Sequence, residues 1–508
     1  MSDPGRHGDS AAAQRAEIRE THTAVVFFMG DRAYKRKKPV KLEFLDYTAL
    51  SSRRAVCERE IELNRRFSPD VYTGLGELRT PGEQEAEPLV VMRRMPGERR
   101  LSHLVRAGAP VDDALRAVAR QLAAWHAAAP RGPGITEQGT RDALATRWEA
   151  SLAQVDAMTA EGAARDELSE IERLVGRYLA GRKPLFDVRV EEGRVLDGHG
   201  DLLADDIFCL DDGPRILDCL EFDDLLRYVD GLDDAAFLAM DLELLGASES
   251  AAFFLARYSE YSGDPAPQSL WHHYVAYRAF VRAKVSMIQA RQGAPGAQAT
   301  ARQLVVMALR HLRTSAVGLT LVAGLPGTGK STLSGALADR LGAVLLSSDR
   351  LRKEMAGLSP QETAATEYGA GLYTPEWTAR TYAALLDRAG ALLARGESVV
   401  LDATWTDSAQ REAARRTADQ ADADLVALHC HVPGDMAAAR LTTRTPGASD
   451  ADLRVADAMA AREEPWSEAI DVDTSGSLGS AVAQALAAVR PWGSDQAKVF
   501  RRPYMEPD

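Results

Sequence analysis

Apolar and polar positions alternate along the chain in two distinct manners, and the change between them falls near residue 300. β-Prone runs from Thr23 to Met29 and from Ala33 to Val40 flank Gly30-Asp31, which predicts a hairpin. Val56, Ile61 and Leu63 recur among charges from Ser52 to Phe67, a helical pattern, and a short strand over 88–92 ends at the Met95-Pro96-Gly97 break. This β-β-α-β order predicts a small sheet-containing lobe. Helical segments dominate from Val111 to Leu179, interrupted by a loop at 130–139. A strand pair brackets His199 to Asp218, and helices resume from Asp233 to about Ala290. The run QGAPGAQATA over 292–301 lacks large apolar residues, so it reads as a linker or as a surface loop within one domain. Beyond it, strands near 317–323, 343–347, 398–402, 425–431 and 470–473 alternate with helices, which predicts a parallel α/β domain. The expected division is therefore a mobile start (1–18), a first domain (19–291), a linker (292–316), a second domain (317–489) and a tail (490–508).

At 508 residues the chain is too long for one ordinary core. A net charge of −13 gives no basic footprint, which argues against a nucleic-acid partner. The four cysteines (Cys57, Cys209, Cys219, Cys430) form no C-x-x-C pair and no zinc spacing. With a polar start and no apolar run of membrane-spanning length, the expectation is a cytoplasmic protein without a membrane partner.

The most informative motif is GLPGTGKS, from Gly324 to Ser331. An apolar β-prone run precedes it, and Leu333, Ala336, Leu337 and Leu341 share one helical face after it. Strand, glycine-rich loop and helix place backbone N–H groups and a helix N-terminus around a polyphosphate. Gly324, Gly327, Thr328, Gly329, Lys330, Ser331 and Thr332 are the candidate ATP-binding residues. Lys330 would reach the β- and γ-phosphates, and Ser331 would hold Mg²⁺. Asp402 ends a buried strand, where a carboxylate can complete the Mg²⁺ shell. Asp349 lies at the edge of the second strand, on the acceptor side of the crevice, and is a candidate base. Arg352 would bind an acceptor phosphate, and Arg440 and Arg444 suit a lid over the transferring group.

In the first domain, Asp201, Asp206 and Asp218 stand at the ends of a predicted hairpin. A phosphotransferase needs one carboxylate to deprotonate the acceptor and two oxygen ligands to hold Mg²⁺ on the nucleotide. HGDLLADDI followed by ILDCLEF resembles the catalytic loop and metal-binding Asp of aminoglycoside phosphotransferase-like kinases, over about residues 20–290. That resemblance implies a two-lobed α+β kinase fold, with Asp201 as base and with Asp218 and Asp206 as Mg²⁺ ligands. It further implies Lys35 as the phosphate-binding lysine, with Lys37 the alternative. Glu60 would be its helix partner, with Glu58 the alternative, and Met92 would open the hinge that meets adenine. The family usually has Asn where Asp206 stands, and the chain lacks a G-x-G-x-x-G over the phosphates. Arg278, Arg282 and Lys284 are read as a solvated face or as anion-binding groups.

GLPGTGKST, SSDRLR, VVLDATW and RLTTR, in this order, resemble P-loop kinases of small acceptors, including polynucleotide kinases, zeta toxins and gluconate kinases. The whole arrangement resembles fused aminoglycoside phosphotransferase/ATP-binding proteins. Two modules that each phosphorylate a hydroxyl of a small molecule with Mg·ATP are thus expected. The alternatives are a nucleotide-sensing regulatory protein and a polynucleotide 5′-hydroxyl kinase.

Overall fold

The computed structural model describes residues 17–20, 23–42, 45–79, 85–159, 162–359, 362, 371–443 and 453–489. Two units emerge: the described residues up to Ile135 together with Val195–Ser262, and Thr136–Arg194 together with the described residues from Gly263 on.

The first unit opens with strands β1 (Glu17–Glu20), β2 (Ala24–Met29) and β3 (Arg32–Lys37), helix α1 (Leu50–Asn64), and strands β4 (Tyr72–Leu78) and β5 (Glu87–Arg93). They form an antiparallel sheet in the order β1-β2-β3-β5-β4. The expected hairpin is present, with Gly30 at φ 60° in the two-residue turn. Two strands differ from expectation. β1 lies partly within the stretch taken as a mobile start and pairs antiparallel with β2. β4, whose Gly74 and Gly76 weaken its β signal, pairs with β5 through a register shift. α1 packs Cys57 and Ile61 against Val71, Tyr72 and Val90 of the sheet region. The rest of the unit comprises α2 (Asp112–Ala128), β6 (Val195–Asp197), β7 (Ile207–Leu210), β8 (Gly213–Ile216), β9 (Tyr228–Asp230), α3 (Gly231–Leu244) and α4 (Ser248–Ser262). β7 and β8 form a tight hairpin, and β6 pairs with β9. The unit thus combines a five-stranded antiparallel sheet with helices and small strand pairs, an α+β arrangement.

The second unit begins with helices over Arg141–Asp156, Ala163–Ala180 and Lys183–Glu191, followed by α5 (Gln268–Arg291) and α6 (Ala297–Thr314). The stretch expected as linker is thus mostly helix. α6 buries Ala301, Leu304, Ala308 and Leu312, a period-3.6 stripe that the small residues at its start conceal. His273 of α5 is fully buried, stacked on Tyr178 at 4.3 Å, and accepts the indole N–H of Trp148 at 3.2 Å. Burial pushes its imidazole down to about 3. The unfolded residue titrates near ~6.5, so between these values the unfolded chain binds a proton that the native chain does not. Stability should be fully present above about pH 6.5 and should fall as pH drops, by up to about 1.4 kcal/mol per pH unit. Melts between pH 6.5 and 5 should show a shallower dependence for His273→Asn than for wild type.

The same unit carries strands β10 (Gly318–Ala323), β11 (Val344–Ser347), β12 (Val399–Asp402), β13 (Asp424–His431) and β14 (Ile470–Asp473). All are parallel, in the order β11-β12-β10-β13-β14. Helices α7 (Lys330–Leu341), α8 (Ser348–Met355), α9 (Pro375–Ala394) and α10 (Leu478–Val489) accompany the sheet. Val322, Val400, Leu428 and Val472 pack with Leu333 and Leu337 of α7 and with Val482 of α10. The helical segments also join this unit: Arg182 donates to the Ala421 carbonyl at 2.6 Å, and Ser269 to the Gly396 carbonyl at 2.7 Å. Residues 136–194 and 263–291, assigned above to the first domain, therefore cluster with the sheet unit. No helix of the described residues is long and apolar enough to cross a membrane.

Candidate active sites

In the first unit, β3 presents Lys35 and Lys37 on one face, because side chains two apart on a strand point the same way. Lys35 Nζ lies 2.9 Å from Glu60 Oε1 and 2.6 Å from Asp218 Oδ1. Lys37 Nζ meets the other oxygen of Glu60 at 2.7 Å and pairs with Glu221. The two candidate lysines thus share one glutamate rather than compete for the role. Lys37 is 2% exposed against 14% for Lys35, so Lys35 is the one with access to solvent. Burial alone would push both ammonium groups down, but Asp218, Glu60 and Glu221 hold them well above the ordinary lysine value. Glu60 sits on α1, and Glu58 belongs to neither set of ion pairs.

Asp218 follows β8 with φ 63°, a left-handed conformation rare for a residue with a side chain. Tyr72 accepts its backbone N–H at 3.2 Å, and Asn64 accepts that of Cys219 at 2.9 Å, which together hold the strained turn. Surrounding protein disfavours the Asp218 carboxylate, but the Lys35 charge and hydrogen bond hold its carboxyl down at about 2. Asp206 behaves oppositely. Burial, with the nearby charges of Asp218 and Asp201, pushes its carboxyl well above the usual range. Asp218 and Asp201 thus crowd Asp206 electrostatically, although among the described residues no group of three or more acids, histidines or cysteines is placed to hold a metal ion as the structure stands. The segments are tied together by backbone: Leu217 donates to the Asp206 carbonyl at 2.9 Å, and Leu220 to the His199 carbonyl at 3.1 Å.

The loop before Asp201 is positioned by a residue that sequence reasoning missed. Asp234, on α3, accepts the backbone N–H groups of His199 at 2.7 Å and Gly200 at 2.9 Å. His126 Nε2 stands 3.1 Å from the same carboxylate, and Tyr258 OH lies 2.7 Å from His126 Nδ1. Burial opposes ionisation of Asp234, but the hydrogen bond from His126 and the His199 contacts hold its carboxyl far below the usual range. Nothing local in the sequence separates Asp234 from neighbouring acids. Glu221 was within reach, three residues after Asp218 in the motif itself. Met92 lies on β5 opposite Ala33 and Tyr72, partly buried beside Met95.

In the second unit, Gly324, Gly327 and Gly329 take φ 138°, 87° and 86°. A Cβ on Gly324 would lie 2.6 Å from Thr328 Oγ1, and one on Gly327 would lie 2.6 Å from the Ala437 carbonyl oxygen. The loop therefore needs glycine for space as well as conformation. α7 begins at Lys330, so its unpaired N–H groups face the loop. Ser331 and Thr332 are exposed in its first turn. Asp402 is 5% exposed, and its Oδ1 has no hydrogen-bond partner among the described residues. Burial pushes its carboxyl up against Lys330 and the Ser331 and Ser347 hydroxyls, and Asp349 adds to the rise. An orphaned carboxylate oxygen beside the Ser331 hydroxyl fits a Mg²⁺ site.

Asp349 occupies the first turn of α8. Arg352 is 6% exposed, with its guanidinium over the Tyr373 ring at 4.5 Å and Nη1 3.3 Å from the Leu372 carbonyl. Its Nε has no partner among the described residues. Tyr382, within the fields of Asp349 and Arg352, shares a hydrogen bond with Thr404 at 3.2 Å. Arg440 donates to the Thr474 carbonyl at 2.8 Å, and its Nη1 would stand 3.4 Å from a Cβ on Gly329. Arg444 lies outside the described residues.

Residues 319–466 match the family described as AAA domain. The uncharacterized protein Rv2004c of Mycobacterium tuberculosis is 44% identical over 471 residues, which span 92% of this chain and 94% of that protein. Among solved structures, a choline/ethanolamine kinase family protein from Mesorhizobium loti is 16% identical, covering 60% of this chain and 94% of its own, with a TM-score of 0.37. A sugar kinase from Janibacter sp. HTCC2649 is 17% identical, covering 36% of this chain and 99% of its own, with a TM-score of 0.28. At 44% identity over nearly its full length, the chain belongs to the family of Rv2004c, and its residues 319–466 match the AAA domain.

Proposed function

We propose that each unit transfers the γ-phosphoryl group of ATP to a hydroxyl of a small-molecule acceptor. In such a transfer the acceptor oxygen bonds to phosphorus, the bond to the β,γ-bridging oxygen breaks, and ADP leaves. The hydroxyl proton passes to a carboxylate, Asp201 in the first unit and Asp349 in the second. Bound Mg²⁺ would neutralise charge on the phosphates, held by Asp206 and Asp218 in one unit and by Ser331 and Asp402 in the other. Lys35, positioned by Glu60, would hold the phosphates of the first nucleotide, with Met92 beside its adenine. Gly324 to Thr332 would cradle the second, with Arg440 and Arg444 covering it. Arg352 would face the group in flight from the acceptor side, its Nε uncommitted.

One observation carries this reading: in each unit a lysine acts on carboxylates at a strand end or turn, Lys35 in contact with Asp218 and Lys330 within the field of Asp402, with acids left short of counter-charge. A sensor that only bound nucleotide would not need the additional acids Asp201 and Asp349. The acidic net charge favours a small acceptor over a polynucleotide end.

Asp349→Asn should lower turnover of the second unit about 10²- to 10⁴-fold, the usual contribution of a positioned base, and should leave ATP affinity nearly unchanged. Single-turnover transfer from labelled ATP into a metabolite extract, with Asp201→Asn silencing the first unit, measures this. Unchanged transfer would remove Asp349 from the chemistry.

A further inference from the structure

The second unit carries an open-mouthed pocket of about 270 Å³, and its walls include Ala323, Thr404, Trp405, Arg411, His429 and Glu463. It lies on the sheet face away from the phosphate-binding helix. Val322 and Leu428 are register partners and pack on Leu333 and Leu337 of α7. Ala323 and His429 are the next register pair, so their side chains point to the opposite face. Yet the cavity adjoins the chemistry: Ala323 directly precedes Gly324, and Thr404 is two residues after Asp402, no more than about 7 Å of chain.

The walls have a definite chemistry. Trp405 is 1% exposed and takes φ 54°, a strained conformation for a large side chain. Tyr382 OH accepts its backbone N–H at 3.3 Å, and Arg411 Nε holds its carbonyl at 2.9 Å. Its indole N–H has no partner among the described residues. Arg411 spends three further hydrogen bonds on the Thr406, Glu464 and Pro465 carbonyls and lies over the Trp466 ring at 4.8 Å. Both nitrogens of His429 face carboxylates, Glu463 at 3.3 Å and Asp471 at 3.2 Å. Toward a ligand the walls offer the indole donor, a Thr404 hydroxyl that also pairs with Tyr382 and a Glu463 carboxylate that also meets His429, while the Arg411 guanidinium is committed to backbone carbonyls. Among the described wall residues no uncommitted cation offsets Glu463, so an anionic ligand would be disfavoured there.

Given the kinase reading of this unit, we propose that this cavity is its acceptor pocket and takes a small, uncharged, polyhydroxylated molecule. Hydroxyls of that molecule donate to Glu463 and accept from the Trp405 indole, while the reacting hydroxyl lies toward Asp349, past the hydrogen-bonded pair of Thr404 and Tyr382.

The test uses full-length protein carrying Asp201→Asn, so that transfer reports the second unit. A metabolite extract is split on an anion-exchange resin into neutral flow-through and retained anions, and ribitol and myo-inositol are assayed beside them. Transfer should follow the neutral fraction or the polyols. Glu463→Gln should raise KM for that acceptor about 10- to 150-fold, the range for a hydrogen bond to a charged group, more than it changes kcat. It should leave binding of a non-hydrolysable ATP analogue unaltered. Transfer confined to the retained anions, or a KM indifferent to both Glu463→Gln and Thr404→Val, would overturn the pocket assignment and leave the kinase reading standing. Nucleotide binding without transfer to either fraction would instead sink the kinase reading, and the pocket assignment with it.

Discussion

Asp201→Asn should reduce turnover of the first unit about 10²- to 10⁴-fold while nucleotide affinity stays within a few-fold of wild type. The reason lies in how the residue is held. Asp234 clamps the two backbone N–H groups just before it, and the His126–Tyr258 pair fixes Asp234 in turn. The loop conformation therefore depends on backbone contacts, which the substitution leaves intact. Asparagine keeps the shape but cannot take a proton, so the chemical step alone should fail. Asp218→Asn should behave differently, because it removes the partner of Lys35 and a metal ligand together, weakening Mg²⁺-dependent binding itself. Calorimetry of ATP binding, paired with single-turnover transfer in a Lys330→Met background, separates these outcomes. Full transfer by Asp201→Asn would assign the base elsewhere.

Lys330→Met should cost the second unit at least about 10- to 150-fold in ATP affinity, the range for a lost hydrogen bond to a charged group. Half-buried at the start of α7, Lys330 makes little of the core, which Leu333 and Leu337 supply. Melting temperature without nucleotide should thus be nearly unaltered. Titration of full-length protein with a non-hydrolysable ATP analogue should fall from two sites to one at micromolar ligand. Two sites retained with unchanged affinity would show that the loop is not a nucleotide site.

The phosphate loop was legible because its determinants are local. Glycines that must take positive φ, a lysine, and a serine at a helix start occupy consecutive positions, and the flanking apolar runs declare strand and helix. The central parallel strands were legible for the same reason: Gly318–Ala323 and Val399–Asp402 are buried and read as apolar runs, whereas the edge strand Ile470–Asp473 alternates and is mostly exposed. Lys35, Glu60 and Asp218 were named individually, yet 25 and 183 residues separate the lysine from its partners, and only the fold brings them within 3 Å. Tertiary structure also decided what short-range pattern could not. Lys37 proved to share Glu60 with Lys35, because strand pleating puts both on one face over a single buried carboxylate. β4 escaped notice since its two glycines remove the side chains that signal a strand. α6 passed for a linker because alanine, glycine and glutamine open it, and helices 136–194 joined the sheet unit through contacts more than 100 residues distant. By itself the sequence determined the glycine-rich loop and most of the strands and helices around it, since backbone propensity and motif spacing act over a few residues. Which charges meet, which acid is left short of a partner, and where a cavity opens were set by packing, which only the folded chain can define.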